Sequence, residues 1–180
     1  MTPTETLKHE HQIILLVLDA VEREAQLMEK EGQLRAQRVE QMVDFFRNFA
    51  DGCHHAKEEK LLFVKMHERG MPLQGGPLAA MLYEHDEGRK RVSAVADALP
   101  PASDGDPAAL AAVRDNLVGY VQLLRAHIAK ENGVLFPMAD QLLTPQDQQE
   151  LTAAFDRVEA EEIGEGVHEK YHELAHQLAH

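Results

Sequence analysis

Histidines and glutamates recur in this 180-residue chain in an order and a spacing that suit metal binding. Each half of the chain carries one histidine and then, 43 or 42 positions later, a second histidine four residues before a glutamate. The six residues are His11, His54 and Glu58 in the first half and His85, His127 and Glu131 in the second. In both halves a phenylalanine lies nine residues after the second histidine. This agreement indicates an internal repeat.

The chemistry that these side chains could perform depends on where they face. A histidine and a glutamate four residues apart lie on one face of a helix, and His11 and His85 each lie at the centre of an apolar helix face. Two buried glutamates are costly unless they are paired or bound to metal. Two divalent ions bridged by Glu58 and Glu131, with two imidazoles completing each ion, remove that cost. Nitrogen and oxygen donors suit iron, with zinc or manganese as alternatives.

Helices are the elements that must position these residues, because apolar residues recur along the chain every three or four positions. Stretches rich in glycine and proline, at 70–77 and 100–107, predict breaks between helices, with weaker breaks near Gly32 and at Thr144. A helical pattern also continues through Gly52. Four long helices joined by short loops predict an all-α, up-down four-helix bundle.

Two additional helices are expected after the bundle, at about 145–162 and 167–179. They predict a C-terminal helical extension, which we define as residues 144–180, packed on a bundle formed by residues 1–143.

Composition excludes several functional classes. The chain has 31 acidic and 18 basic side chains and a net charge of −13, which argues against binding nucleic acid or an anionic membrane. It has one cysteine, no secretory signal at its start and no apolar run long enough to span a membrane. We therefore expect a soluble cytoplasmic protein.

The motifs together resemble the hemerythrin-like, or HHE cation-binding, family over about residues 5–142. The resemblance is carried by Glu10-His11, His54-His55-Ala56-Lys57-Glu58-Glu59, Glu84-His85, and His127-Ile128-Ala129-Lys130-Glu131 followed by Leu135-Phe136-Pro137. It implies a four-helix bundle with a non-haem di-iron centre that meets O₂, NO or peroxide. The implied ligands are His11, His54, Glu58, His85, His127 and Glu131.

The chain departs from the oxygen-carrying members that it resembles. Those proteins place a second histidine four residues away on the third helix, where this chain has Met81 and Arg89. Their fourth helix carries His-x4-Asp, whereas position 132 here is Asn132. Fewer histidines leave more open coordination positions, which favours a redox role over reversible oxygen carriage. The alternative is a non-enzymatic sensor or binding protein for iron, oxygen or NO, whose protein partner the sequence does not identify.

Several neighbours of the six residues have less certain roles. His55 and Glu59 repeat the same spacing one position later and are alternative ligands. Glu10 and Glu84 precede ligand candidates, and helical geometry predicts that they turn outward to solvent.

Two residues on the third and fourth helices are also candidates for a place near the metals. Tyr120 is a candidate hydrogen-bond donor or redox participant behind the ligands, with core packing as its other role. Gly88 either leaves space for a small ligand or lets helices pack closely.

A second metal-binding motif lies in the C-terminal extension. His168-Glu169-Lys170-Tyr171-His172 matches the H-E-x-x-H signature of zinc proteases, but only eight residues follow it and the chain lacks strand patterns. Four histidines there recur every four residues, at 168, 172, 176 and 180. They predict a solvated helix face. His9 and His67 are also expected to be exposed.

Overall fold

A computed structural model describes all 180 residues, and it consists of six helices and no strands. The helices are α1 (Pro3–Glu31), α2 (36–68), α3 (Gly76–Ser103), α4 (107–142), α5 (145–164) and α6 (Val167–Ala179). Helices α1 to α4 form an up-down bundle, and α5 and α6 pack against it. The predicted all-α architecture is confirmed. None of the helices combines the length and the apolar character that crossing a membrane requires.

Capping residues define the ends of several helices, as the sequence predicts. Thr2 begins α1 by accepting a hydrogen bond from the backbone N–H of Glu5, and Gly32 ends it with φ of 64°. Thr144 begins α5, where its hydroxyl and the Asp147 carboxylate each accept a backbone hydrogen bond from the other residue.

The break predicted at 100–107 is wrong in its first part, because α3 continues through Pro100 and Pro101 to Ser103. The two prolines cannot donate backbone hydrogen bonds, but they lie in the last turn, where only that turn is weakened. Leu99 and Ala102 are buried in the core and hold this turn in place. The connection to α4 is therefore only residues 104–106.

Helices α2 and α4 contain π-helical turns, which the sequence analysis did not anticipate. One π-helical segment is Phe46–His55, so the predicted helix does continue through Gly52. The other two are Glu58–Leu62 and Glu131–Leu135, and they occupy equivalent places in the repeat. Each begins at a repeated glutamate, and such turns are frequent at functional sites.

The six repeated residues lie between two apolar cores. Along each bundle helix the repeated residues separate a larger cluster from a smaller one. The smaller cluster contains Phe63 and Phe136, the two phenylalanines of the repeat. Consequently the six polar side chains form one layer that is sealed by hydrophobic packing above and below.

The C-terminal extension contributes to both cores. Leu151 and Phe155 of α5 join the smaller cluster, and Tyr171 and Leu178 of α6 join the larger one. The extension therefore lies along α1 and α2 across the level of the six repeated residues. The division of the chain at residue 143 stays a prediction.

Candidate metal centre

The six residues of the repeat meet in one buried layer of the bundle. Helix α1 supplies His11, α2 supplies His54 and Glu58, α3 supplies His85, and α4 supplies His127 and Glu131. Each of them is at most 1% exposed. Four imidazoles and two carboxylates thus face one another without access to bulk water.

Their ligand atoms form two groups, each compact enough to hold a metal ion. The first group, called position 1 below, contains His11 and His54, and the second, called position 2, contains His85 and His127. Both groups also include Glu58 and Glu131. The two carboxylates are therefore placed to bridge a pair of ions.

The distances show how the carboxylates connect the two positions. One oxygen of Glu58 lies 2.5 Å from His54 Nε2, and the other lies 3.4 Å from His85 Nε2. Glu131 Oε1 lies 3.2 Å from His11 Nε2 and 3.1 Å from His127 Nε2. Each carboxylate thus contacts a histidine of both positions.

Hydrogen bonding within the protein leaves this layer incomplete. Four buried atoms make no well-aligned hydrogen bond, even though His54 Nε2 lies close to one Glu58 oxygen: His54 Nε2, both carboxylate oxygens of Glu58, and Glu131 Oε2. Buried polar atoms without partners are costly, and most severely so on a carboxylate. Divalent cations would satisfy all four, so the donor set and its unsatisfied atoms fit a pair of metal ions.

Electrostatics in the layer favour a charged carboxylate at Glu58. Burial raises the pKa of Glu58, but the neighbouring imidazoles of His54 and His85 outweigh burial and hold it well below its usual range. Burial lowers the pKa of His54, yet Glu58 and Glu10 raise it to about 10. Burial likewise lowers the pKa of His85, and the neighbouring carboxylates of Glu58 and Glu59 raise it to about 9.

Each histidine also has a hydrogen-bond acceptor at its outer nitrogen, and two of these acceptors correct the sequence analysis. His54 Nδ1 donates to Glu10 at 3.0 Å, and His127 Nδ1 donates to Glu84 at 3.2 Å. Glu10 is buried and the Glu84 side chain is only 12% exposed, so the prediction that they face solvent is wrong. The side chain one position before a candidate ligand is rotated by about 100° around the helix axis. In this bundle that rotation points Glu10 at α2 and Glu84 at α4 rather than at solvent.

The other two acceptors follow the repeated glutamates. His11 Nδ1 donates to the side-chain oxygen of Asn132 at 2.7 Å, and His85 Nδ1 donates to Glu59 at 3.3 Å. All four rings therefore direct Nδ1 to a partner outside the layer and turn Nε2 towards the centre. Such partners hold the ring orientation and raise the basicity of a metal ligand.

Two lysines complete the repeat, one before each bridging glutamate. Lys57 Nζ donates to Glu10 at 2.7 Å, and Lys130 donates to Glu84. Lys57 is fully buried, whereas the Lys130 side chain is 50% exposed. Sequence reasoning missed both lysines, although their recurrence at the same place in the repeat was a usable signal.

The alternative pair, His55 and Glu59, takes up different places. Glu59 supports His85 and accepts a hydrogen bond from Arg89. The buried ring of His55 stacks on His85, with ring centres 3.8 Å apart. Its nitrogen belongs to a further compact group with His85 and His127, so His55 remains an alternative ligand at position 2.

A cavity of about 250 Å³ opens beside position 2. Its lining includes His55 and His85, the charged side chains of Glu84 and Arg89, and Gly88, Tyr120 and Leu124. The Tyr120 ring packs 4.6 Å from that of Phe46 and makes no hydrogen bond to a ligand candidate. A Cβ on Gly88 would lie 3.3 Å from the Tyr120 ring. The absence of a side chain at Gly88 therefore both allows the two helices to pack closely and leaves the cavity open.

The C-terminal histidines are not a second centre of the protease type. His168 is half-buried and groups with Glu10 and Glu159 rather than with His172. The expectation of a solvated histidine face is therefore wrong at its first two positions, because His168 contacts Phe49 and both His168 and His172 are half-buried. His176 and His180 are exposed as expected. So are His9 and His67.

Comparison with known proteins agrees with this arrangement. Uncharacterized proteins of Mycobacterium bovis and of two Mycobacterium tuberculosis strains, CDC 1551 and H37Rv, are 21% identical to this chain over 165 residues. The match covers 92% of this chain but only 64% of each relative. No solved structure matches the chain. Residues 2–139 match the family model described as the hemerythrin HHE cation binding domain. The chain therefore belongs to the hemerythrin HHE cation-binding family.

Proposed function

We propose that this protein holds two iron ions in a non-haem centre and binds or reduces O₂, NO or peroxide there. The observation that carries the proposal is the buried layer in which two groups of potential ligands share Glu58 and Glu131. His11 and His54 would complete one ion, and His85 and His127 the other. The unsatisfied carboxylate oxygens of this layer support the presence of two cations rather than one.

Iron is the metal that the donor set favours. Each position offers two imidazole nitrogens and shared carboxylate oxygens, with no thiolate. Structural zinc sites use four protein ligands in a closed tetrahedron, often with cysteine, whereas carboxylate-bridged pairs in helical bundles hold iron or manganese. Zinc and manganese are alternatives that metal analysis distinguishes.

When bound, the iron pair would supply the redox electrons and the coordination position for a small oxidant. The chain itself provides an entry. The cavity beside position 2 is several times the ~30 Å³ that one water molecule occupies in liquid water, so it admits diatomic molecules and peroxide. Its lining combines charged, histidine and apolar side chains, with His55 and His85 among them.

The remaining residues hold that entry in a fixed form. Arg89 donates to Asp51 at 2.9 Å and to Glu59 at 2.6 Å. Glu59 in turn holds His85, so the cavity wall and the ligand ring are joined by hydrogen bonds. A fixed wall keeps the shape of the cavity constant while the small molecule enters and leaves.

A non-enzymatic sensor of iron, oxygen or NO is the second candidate. The observation that favours it is the direct contact between the C-terminal extension and the outer partners of position 1, through Glu159 and His168. Such a contact offers a path from the metals to a surface that a partner protein could read. In either role we expect a cytoplasmic protein that avoids nucleic acid and membranes, because its charge of −13 repels both.

The test begins with metal analysis of protein purified without an affinity tag, followed by anaerobic titration with Fe(II). We expect about two iron ions per chain, and the same value in His67→Ala, which changes an exposed histidine. Fewer than about one metal per chain after loading would overturn the proposal. Mixing the ferrous protein with O₂, NO or peroxide in the presence of a small-molecule reductant such as ascorbate then separates the roles, because repeated turnover indicates an enzyme and a single oxidation indicates a sensor.

A further inference from the structure

A buried lysine joins the C-terminal extension to the bundle beside position 1. Lys57 has no exposed surface, and its ammonium group donates to Glu10 at 2.7 Å and to Glu159 at 2.6 Å. Glu10 belongs to α1 and Glu159 to α5. A buried ammonium group is stable only when carboxylates compensate its charge, so both glutamates are needed for Lys57 to stay where it is.

The same contacts lead directly to a ligand candidate. Glu10 divides its two oxygens, since Oε1 accepts from His54 Nδ1 at 3.0 Å and Oε2 accepts from Lys57. His168 of α6 approaches the same carboxylates, with Nε2 at 3.6 Å from Glu10 and 3.8 Å from Glu159. The direction in which His54 presents Nε2 therefore depends on residues of the extension.

The second half of the repeat has no such cover. There Lys130 and Glu84 make the equivalent pair and hold His127 in the same way. Lys130 is half-exposed and has no other carboxylate partner. The lysine–glutamate pairs that hold His54 and His127 are thus otherwise equivalent. The extension adds Glu159 and His168 only to the pair that holds His54.

We propose that Lys57 and Glu159 are positioning residues for His54, and that the C-terminal extension is thereby part of the support for position 1 alone. This inference rests on the proposed function, because it concerns one of its two metal positions. Its consequence is that docking of the extension and occupancy of position 1 are linked. The extension strengthens metal binding there, and metal binding there holds the extension in place.

Glu159→Gln tests this link, because it removes the charge from a half-exposed side chain while keeping its size. The matched control is Glu162→Gln, three residues further along α5, which loses only an exposed contact of 3.9 Å with Lys60. In anaerobic Fe(II) titrations we expect Glu159→Gln to bind one of two equivalents about tenfold more weakly. Losing an outer hydrogen-bond partner of a metal ligand commonly weakens metal binding by about this factor. Glu159→Gln should bind the other equivalent as tightly as the unchanged chain does. Glu162→Gln should bind both equivalents with that same affinity.

A second measurement identifies which position changes and does not require metal. In ¹⁵N-histidine-labelled protein, we expect Glu159→Gln to move the Nδ1–H resonance of His54 and leave that of His127 in place. Equal weakening of both equivalents, no weakening, or an unmoved His54 resonance would overturn the positioning role. If the unchanged chain takes up no iron, the proposed function fails, and the resonance of His54 alone decides whether the extension positions that ring.

Discussion

The two halves of the repeat present the same ligands in different surroundings. Position 1 is closed, because Lys57 and Glu10 are buried beneath the extension. Position 2 is open, because the cavity reaches His85. Under the proposed function, the repeat sets where the two metals would bind, and the residues packed around it set which of the two a small molecule would reach.

Single-residue differences between the two halves of the repeat account for much of this asymmetry. His55 stands in the first half where the second has Ile128, and its ring adds a polar group to the wall beside position 2. Glu59 corresponds to Asn132, so the outer partners of position 2 are two carboxylates while those of position 1 are one carboxylate and one amide.

The largest expected effect comes from removing one histidine from each position. His54→Ala and His127→Ala should each lose one of the two iron equivalents, because each deletes a ligand of one position only. Anaerobic Fe(II) titration measures the stoichiometry, with His67→Ala as the control. If either variant lost both ions, the positions would not be separable and the comparison between them would fail.

The two repeated lysines should differ strongly in their effect on stability. Lys57→Met leaves the buried carboxylate of Glu10 without its ammonium partner. Breaking a buried ion pair in this way costs about 3–5 kcal/mol of the free energy of unfolding. Lys130→Met breaks a pair that is half-exposed to solvent, which costs under about 1 kcal/mol. Urea unfolding of the two variants checks this difference, and equal losses would show that the extension does not bury the first pair in solution.

The pH dependence of metal binding should also distinguish the positions. A metal displaces a proton from His54 or His85, whose pKa values are raised to about 10 and about 9. Below these values the affinity should fall about tenfold per pH unit for each displaced proton, and it should level off at a higher pH for position 1. Fe(II) or Co(II) titrations between neutral and alkaline pH measure this. Affinities independent of pH would show that the imidazoles are neutral before metal binds.

The smallest of these effects concerns the cavity. Gly88→Leu would place a side chain against Tyr120 and fill the space beside position 2. We expect several-fold slower oxidation of the ferrous protein by peroxide, with an unchanged iron content. Ala80→Leu, at an exposed place on the same helix, is the control for stopped-flow measurements. An oxidation rate that Gly88→Leu leaves unchanged would mean that the oxidant enters elsewhere.

The bundle and the layer of six residues could be predicted because both depend on local periodicity. Apolar spacing assigns the helices, and a histidine four residues before a glutamate places both side chains on one face whatever surrounds them. The continuation of α3 through Pro100 could not be predicted this way, because burial of Leu99 outweighs the local preference of proline.

The outer partners could not be found from one helix at a time. Glu10 lies off the apolar stripe of α1, and only the adjacent helix and the extension bury it. Glu159 contacts Lys57, and His168 approaches Glu10, from more than a hundred residues away along the chain. Such contacts depend on how the extension packs, which periodicity does not specify.

Anomalous X-ray scattering at the iron absorption edge, from crystals of the Fe(II)-loaded chain, tests the central claim most directly. The account predicts two peaks that share Glu58 and Glu131, one beside His11 and His54 and the other beside His85 and His127. A single peak in that layer would contradict it. So would iron bound only at the C-terminal histidines.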